Sequence, residues 1–390
     1  MPHGFEMPNG ISKNEEMMKK DWIIKKLGEV CEIKDSQRKP ITANKRKPGP
    51  IPYYGATGIL DYVEDYLFDE DLILLGEDGA KWGSGDRSAF KISGKTWVNN
   101  HAHVLKPANY IDYTWLIYYL NYSDLTPFVK GATVPKLNQE NTRNIPIPIP
   151  PLEEQKRIVA VLDKKFAQIE TLKTAAEKNL QNTKQLFQAE LEKAFSNTSW
   201  EKKRLDEVCA ITSKLVDPTQ PEYLDLYHVG GANIESETGI IIDLKTSKEE
   251  GLSSGKFTFD ESMVLYNKIR PYLKKVARPD FSGLCSADMY PLNPKGNITK
   301  DYLYYILISD NFTEYAISKS GRAGMPKVNR EALFAYECYL PPLEEQKRIV
   351  AHLDSLSEKV HQLEEIYTKQ LADCADLKQS LLQKAFEGEL

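Results

Sequence analysis

The strongest constraint on this chain is a long internal repeat. Thirteen of the 14 residues in 150–163 return 191 positions later, in 341–354. The same shift continues without a gap to Phe195 and Phe386, which gives 22 identities over 46 aligned positions. A duplication of this length predicts two related units in one chain.

The repeated segments have the pattern of two long helices. Pro150 and Pro341 precede apolar residues at alternating three- and four-residue steps, the spacing of a seam between packed helices. About 40 residues at ~1.5 Å each make a rod of roughly 60 Å, which a narrow seam cannot stabilise alone. We therefore expect the two helices to pair antiparallel, with the seam as their core. The seam residues are Ile158, Leu162, Phe166, Ile169, Leu172, Ala176, Leu180, Phe187 and Leu191 in the first helix, and Ile349, Leu353, Leu356, Val360, Leu363, Tyr367, Cys374, Leu377 and Leu381 in the second.

Two shorter matches frame a globular segment before each helix. Residues 21–33 and 199–211 share 7 of 13 positions, and Pro135-Lys-Leu-Asn138 matches Pro326-Lys-Val-Asn329 after a glycine-containing turn. Between these matches, 35–110 and 212–299 show no clear correspondence. Short β-branched runs beside helical segments predict α+β domains. The expected strands are 71–75, 240–244 and 263–266, and the expected helices are 113–122 and 301–309. The expected division is an extension or alternative start at 1–20, globular domains at 21–149 and 199–340, and helices at 150–198 and 341–390.

Composition narrows the class of protein. The chain has 390 residues, five scattered cysteines without a C-x-x-C pair, and a net charge of −5. Neither a disulfide framework nor a zinc knuckle is indicated. No apolar run reaches ~18 residues and no signal peptide is recognisable, so we expect a cytoplasmic protein that does not cross a membrane.

Two acid-free stretches carry five positive charges each. They are 36–60, with Tyr54 among the basic residues, and 262–279, with Tyr272. A solvated surface and a DNA contact both explain such stretches, since lysine and arginine bind phosphates and interleaved aromatic residues suit nucleic acid. Lys136 and Lys327 occupy matching positions in the two halves. This duplication of a positive charge indicates a shared structural turn or a shared phosphate contact.

Several motifs resemble catalytic or metal sites without completing them. Gly94-Lys95-Thr96 lacks the earlier glycine of a phosphate loop, because position 89 is alanine. His101 and His103 have no third metal ligand nearby. We interpret them as part of a strand or loop, and alternatively place Asn99, Asn100 and His101 against DNA, because amide side chains suit adenine edges. No methyltransferase tetrapeptide is present, so catalysis is not expected.

The repeated Pro-Pro-Leu-Glu-Glu-Gln-Lys-Arg-Ile-Val segment, the Trp-x-x-x-x-Leu-x-Glu-Val-Cys openings and the ending Leu381-Leu-Gln-Lys-Ala-Phe-Glu-Gly-Glu-Leu390 resemble the specificity subunit of type I restriction-modification systems. The resemblance covers about 20–390. It implies two target recognition domains, each binding one half of a split, asymmetric site on double-stranded DNA, with the two helices as a spacer.

The resemblance also implies the division of labour. Two methyltransferase subunits, and restriction subunits through them, supply adenine methylation and cleavage. S-adenosylmethionine, ATP and Mg are expected on those partners, and no cofactor is expected on this non-catalytic chain. A self-sufficient methyltransferase or nuclease and a coiled-coil scaffold with protein-binding domains are the alternatives. The candidate DNA-binding residues are Arg38, Lys39, Lys45, Arg46, Lys47, Tyr54, Lys81, Arg87, Asn99, Asn100, His101, Lys136, Asn138, Lys268, Arg270, Tyr272, Lys274, Lys275, Arg278, Arg322, Lys327 and Asn329.

Overall fold

The computed structural model describes residues 22–131, 133–321 and 324–390. The expected extension at 1–20 and the candidate DNA-binding residue Arg322 lie outside this range. The chain divides into two compact units, one made of residues up to Ala176 with Lys369–Leu390, the other of Glu177–Thr368. Each unit holds one globular domain and a part of both repeated helices.

The first domain consists of short strands around a buried sheet and is followed by the first long helix. Its elements are β1 (Ile23–Lys26), α1 (Leu27–Val30), β2 (Cys31–Ile33), β3 (Ile51–Gly55), β4 (Gly58–Val63), β5 (Phe68–Asp69), β6 (Leu72–Gly76), β7 (Ala89–Ile92), β8 (Lys95–Val98), β9 (Ala102–Pro107), α2 (Tyr113–Tyr122), α3 (Gln139–Arg143), β10 (Pro146–Ile149) and α4 (Leu152–Ala194).

Strand β6 lies at the centre of the first domain. The domain has two four-stranded sheets, in the orders β2-β9-β6-β7 and β4-β3-β8-β5. Ile73 and Leu75 pack into one apolar cluster with Leu116 of α2, whereas Leu72 and Leu74 pack into another. Because both faces of β6 are covered, its sequence is a continuous apolar run without alternation.

The second domain and the second long helix have their own series of elements. These are β11 (Glu201–Arg204), α5 (Leu205–Val208), β12 (Cys209–Ala210), β13 (Leu215–Val216), β14 (Tyr227–Val229), β15 (Lys245–Thr246), α6 (Ser247–Glu250), β16 (Lys256–Phe259), β17 (Val264–Asn267), β18 (Val276–Ala277), β19 (Gly283–Cys285), β20 (Met289–Pro294), α7 (Lys300–Ile308), α8 (Asp310–Lys319), α9 (Arg330–Phe334), β21 (Glu337–Leu340) and α10 (Leu343–Phe386).

The two domains share a topology that their sequences do not reveal. The sheet β12-β20-β17-β18 repeats the order of β2-β9-β6-β7, although the second sheet has five strands, β13-β16-β19-β14-β15. In both domains the first strand pairs antiparallel with the last, with Ile23 opposite Ile149 and Glu201 opposite Leu340. The α+β class with two globular domains is therefore confirmed.

Most of the expected elements are present, with one exception. The helices at 113–122 and 301–309 and the strands at 71–75 and 263–266 are confirmed within one residue. The strand expected at 240–244 is wrong, since only Ile241 forms an isolated bridge, to Ile234. Gly239 and Asp243 have φ angles of 71° and 52°, which an extended strand does not allow.

A buried glutamine makes equivalent contacts near the start of each long helix. In the first unit Gln155 accepts a hydrogen bond from the Asp112 amide and donates to the carbonyls of Tyr110 and Pro150. In the second unit Gln346 makes the same three kinds of bond, with Thr299, Asn297 and Pro341. Both glutamines are fully buried, and each joins its long helix to the start of an earlier helix of the domain, α2 or α7.

The long helices pair antiparallel within each unit. In the first unit, Ile158 and Leu162 near the start of α4 cluster with Leu382 and Phe386 near the end of α10. In the second unit, Leu191 near the end of α4 clusters with Ile349 and Leu353 near the start of α10. The expected coiled-coil pairing is confirmed.

The expectation that the whole seam is core is wrong. Leu172, Leu363 and Leu377 are 60%, 38% and 48% exposed. The stretches close to the globular domains gain additional apolar cover, from residues such as Trp115. The exposed leucines remain as apolar surface on the helices.

Candidate nucleic-acid interface

Each domain brings a hairpin loop against a glycine turn. In the first domain, the first hairpin loop (77–88) joins β6 to β7, and the first glycine turn (130, 131 and 133–136) lies beside it. Lys136 forms isolated β-bridges to Lys130 and Asp78, and the Leu137 amide donates to the Glu77 carbonyl at 2.8 Å. The loop and the turn therefore form one surface of the first domain.

The second domain repeats this arrangement on different residues. The second hairpin loop (268–275) joins β17 to β18, and the second glycine turn (321 and 324–327) lies beside it. Lys327 forms isolated bridges to Gly321 and Ile269, and the Val328 amide donates to the Lys268 carbonyl at 3.0 Å. The backbone contacts of the two domains are equivalent, although the loops differ in length.

A buried ion network supports the first glycine turn. His103 is fully buried, with Nδ1 2.6 Å from Asp35 and Nε2 2.7 Å from the Leu137 carbonyl oxygen. Arg38 pairs with Glu77 at 2.5 Å, and Lys136 approaches the other oxygen of Glu77 at 2.9 Å. The network thus joins β9, the loop after β2, the end of β6 and the turn.

The charges in this network stabilise one another. Burial acts to raise the pKa of Asp35, but the hydrogen bond and charge of His103 outweigh it and hold that pKa below its ordinary value. The pKa of Glu77 is also lowered, because its bonds to Lys136 and Arg38 outweigh burial. Each ring nitrogen of His103 thus faces an acceptor, Nδ1 the Asp35 carboxylate and Nε2 the Leu137 carbonyl oxygen.

Three of these residues have the composition of a metal site, but the positively charged side chains of Arg38 and Lys136 already pair with the carboxylates. Ligand atoms of Asp35, Glu77 and His103 lie within 4.8 Å of one another. Arg38 fills the space between the carboxylates, with Nη1 on Glu77 and Nη2 3.3 Å from Asp35. We therefore assign this cluster to support of the glycine turn.

In the second domain, the side-chain hydrogen bond to the turn's carbonyl is uncharged. Tyr290 takes the place of His103, and its hydroxyl donates to the Val328 carbonyl at 3.2 Å. Lys268 and Lys327 each lie 3.5 Å from Asp288. Burial, followed by the nearby charge of Lys327, lowers the pKa of Lys268.

The structure leaves part of the candidate set on the surface. The exposed candidates are Lys39, Lys45, Lys47, Lys81, Arg87, Asn100, His101, Arg270, Tyr272, Lys327 and Asn329. The first hairpin loop carries Lys81 and Arg87, and the second carries Arg270 and Tyr272. Lys81 and Arg270 have no ion-pair partner among the residues that the structure describes, so their charges are available to a ligand.

Other candidates face the interior or bond within their domain. Arg38 belongs to the buried network, Asn99 accepts from the His101 amide, and Lys268 is 8% exposed. Lys274 bonds to Asp310 and Arg278 to Asp301 and Asp354. The remaining half-buried candidates are Arg46, which pairs with Asp61, Tyr54, which packs on Phe90, and Lys275, which donates to the Gly231 carbonyl. Basic residues from stretches that contain no acidic residue are thus paired with acidic residues from other parts of the domain.

The duplicated Pro-Lys-x-Asn motif is mainly structural. Asn138 caps α3 by accepting from the Asn141 amide, and Asn329 caps α9 by accepting from the Ala332 amide. Such caps satisfy the free amides at a helix start. The lysines Lys136 and Lys327 remain beside the turns.

Two surface positions escaped the sequence analysis. Val134 and Met325 lie at the tips of the glycine turns, 67% and 55% exposed, and they are related by the same shift of 191 positions. The shift of 191 positions was the one sequence signal that could have identified this pair, but the two residue types differ.

Gly94 lies in the turn between β7 and β8, with Thr96 buried in a strand, which is the geometry of a hairpin rather than a phosphate loop.

Among the described residues, no helix is both long and apolar enough to cross a membrane.

Fold and surface together define a duplicated protein. Each of its two α+β domains presents a hairpin loop beside a glycine turn, and each domain is followed by one of two long helices. Residues 19–181 and 197–371 match the family model described as type I restriction modification DNA specificity domain. The chain is 30% identical to the type I restriction enzyme EcoDI specificity subunit of Escherichia coli over 408 residues, 95% of this chain and 89% of that one.

Solved structures agree on the fold. A chain from a study of complex assembly and conformational transition of the type I restriction-modification system has a TM-score of 0.72 at 19% identity, covering 96% of this chain and 99% of that one. The HsdS subunit of Thermoanaerobacter tengcongensis has a TM-score of 0.56 at 20% identity, covering 96% and 98%. This chain belongs to the family of type I restriction-modification specificity subunits. It is thus the DNA-specificity component of such a system, and catalytic activities lie in partner subunits.

Proposed function

We propose that each domain binds one half of a split, asymmetric DNA site through its hairpin loop and glycine turn. The observation that carries this proposal is the duplicated loop-and-turn surface, which has equivalent backbone bridges in both domains but different side chains. Equivalent backbones give two comparable contacts with DNA, and different side chains give two different base sequences.

The side chains on these surfaces suit both parts of DNA recognition. Lys81, Arg87 and Arg270 are exposed cations that can bind phosphates or guanine edges. Val134 and Met325 at the turn tips can contact apolar base edges such as the thymine methyl group. The inward-facing candidates are not part of this proposal.

The partner arrangement is also a proposal. Two methyltransferase subunits dock on the long helices, where Leu172, Leu363 and Leu377 are exposed, and restriction subunits join through them. Patches of exposed apolar surface are typical of protein interfaces. S-adenosylmethionine, ATP and Mg then belong to those partners, this chain holds no cofactor, and the complex acts in the cytoplasm.

Charge removal from one loop at a time tests the proposal. In a complex with the methyltransferase subunits, Arg270→Ala should weaken methylation that depends on the second domain's half-site. The expected loss is about 1–3 kcal/mol in DNA affinity or in discrimination between base sequences. Lys81→Ala should act on the other half-site. Lys248→Ala removes an exposed charge from α6 of the second domain and is the matched control.

Methylated sites from each variant are mapped and compared base by base. Changes confined to one half-site support the proposal. An Arg270→Ala complex that methylates the same motif as the control, with the same efficiency, would place the DNA contact elsewhere.

A further inference from the structure

One glutamine of the helical repeat contacts a hairpin loop in each unit. Gln188 of α4 and Gln379 of α10 occupy the same repeat position, 191 residues apart. Between residues 164 and 190 only five positions are identical to their repeats, and this glutamine is one of them. Because both positions hold the same polar residue, we expect the two glutamines to make a shared contact rather than to belong to the apolar seam.

In the first unit, Gln379 lies against the first hairpin loop. Its Nε2 donates to the Ser84 hydroxyl at 3.3 Å. A Cβ added to Gly85 would meet the same nitrogen at 2.9 Å, and Gly85 has a φ of 85°. The loop thus uses a glycine in the left-handed region at the point where the helix approaches its backbone.

The loop is held from its other side by α2. Ser84 donates through its hydroxyl to the Tyr122 carbonyl at 2.7 Å, and the Gly85 amide donates to the Asn121 carbonyl at 2.9 Å. The residues at 84 and 85 are therefore clamped between the end of α2 and Gln379.

In the second unit, Gln188 makes the corresponding contact with the second hairpin loop. Its Oε1 accepts from Lys274 Nζ at 3.1 Å, and Lys274 has a φ of 46°. Lys274 also binds Asp310 of α8, whose amide donates to Glu192 at 2.6 Å. Gln188 itself donates to Glu192 at 2.8 Å, so helix, loop and α8 form one connected set.

We propose that Gln188 and Gln379 are positioning residues that set the hairpin loops on the long helices, each for the domain it contacts. The assignment is crossed with respect to chain order. Gln188, on the helix that follows the first domain, positions the loop of the second domain, and Gln379, on the helix that follows the second domain, positions the loop of the first.

This inference rests on the proposed function of the hairpin loops, and the test separates the two. The variants are Gln188→Met and Gln379→Met, which keep the length of the side chain and remove its hydrogen bonds. Gln185→Met and Gln370→Met are controls, because both residues are exposed on the same two helices. Each variant is expressed with its methyltransferase subunits, and methylated sites are mapped.

The expected result is a half-site-specific loss of discrimination. Gln188→Met should raise methylation of sites with a base change in the second domain's half-site by about tenfold relative to the intact site. A tenfold loss of discrimination is expected when one hydrogen bond to a charged group is removed. Gln379→Met should do the same for the first domain's half, by a smaller factor because its bond is neutral. The unaffected half-site shows in the same molecule that the complex is folded.

A second measurement tests the contact itself. Lys274→Met should relax the same half-site as Gln188→Met, and the double variant should be no worse than the stronger single one. Uncrossed effects, equal effects on both half-sites, or variants identical to the controls would overturn the inference. If Arg270→Ala changes a half-site while Gln188→Met does not, the positioning role fails and the proposed function stands. If neither does, the proposed function fails as well.

Discussion

The supports beneath the two glycine turns differ more than the turns themselves. In the first domain a buried network of His103, Asp35, Arg38 and Glu77 holds the turn, whereas in the second domain the Tyr290 hydroxyl makes the corresponding bond to the turn's carbonyl. The backbone bridges are nevertheless the same. The difference teaches that the backbone ladder maintains the loop-and-turn surface, while the side chains beneath it are free to diverge with the half-site.

The largest expected effect comes from breaking the charged support. His103→Leu leaves the buried Leu137 carbonyl without its donor and removes one of the donors to Asp35, which should cost about 3 kcal/mol of local stability. Hydrogen exchange of the amides of Lys130, Lys136 and Leu137 reports this loss. Unchanged protection of these amides would show that the network does not support the turn.

Tyr290→Phe is the matched change in the second domain. It removes one neutral hydrogen bond without leaving a buried charge, so the amide of Val328 should lose only about 1 kcal/mol of protection. A loss as large as that of His103→Leu would contradict the distinction between the two supports.

A change of intermediate size is expected in the backbone of the first turn. Gly131 has a φ of 101°, and an added Cβ would lie 2.4 Å from the Val134 carbonyl oxygen. Gly131→Ala should therefore cost about 1–3 kcal/mol at the turn. Gly321→Ala is the control, since no atom of the described residues lies within 4 Å of its added Cβ. Equal exchange protection in the two variants would count against the turn geometry.

Acid should loosen the first turn before it affects the corresponding bond of the second. The pKa values of Asp35 and Glu77 are lowered in the folded state, so their contribution to stability is present above the ordinary carboxyl pKa of about 4 and is lost as the pH falls through the folded values. Hydrogen exchange between pH 6 and 3, corrected for intrinsic rates, should show protection lost at Leu137 ahead of Val328. Simultaneous loss would contradict a charge-dependent support.

The sequence predicted the architecture well because the repeat constrains it. The long helices, their antiparallel pairing and the alternation with two α+β domains all follow from apolar spacing and duplication. The common sheet order was not predictable, since β6 and β17 are similar in burial but not in residue identity. Apolar layers accept many residues of suitable volume, so topology survives where sequence similarity does not.

The surface was harder to predict than the fold. Arg38, Lys268, Lys274 and Arg278 lie in stretches without acids, but each is bound by a carboxylate distant in sequence. Only Arg270 of its stretch remains exposed and unpaired among the described residues. Local charge counts therefore overestimate a nucleic-acid surface, because ion pairs form between elements that only the tertiary fold brings together.

The central claim is that the two domains bind the two halves of one split DNA site. The most direct measurement is a map of methyladenine in the genome of a methylation-free host that expresses this chain with its methyltransferase subunits. The account predicts a motif of two different half-sites with a fixed gap, present only when this chain is expressed. A continuous motif, or a split motif that persists without this chain, would contradict the account.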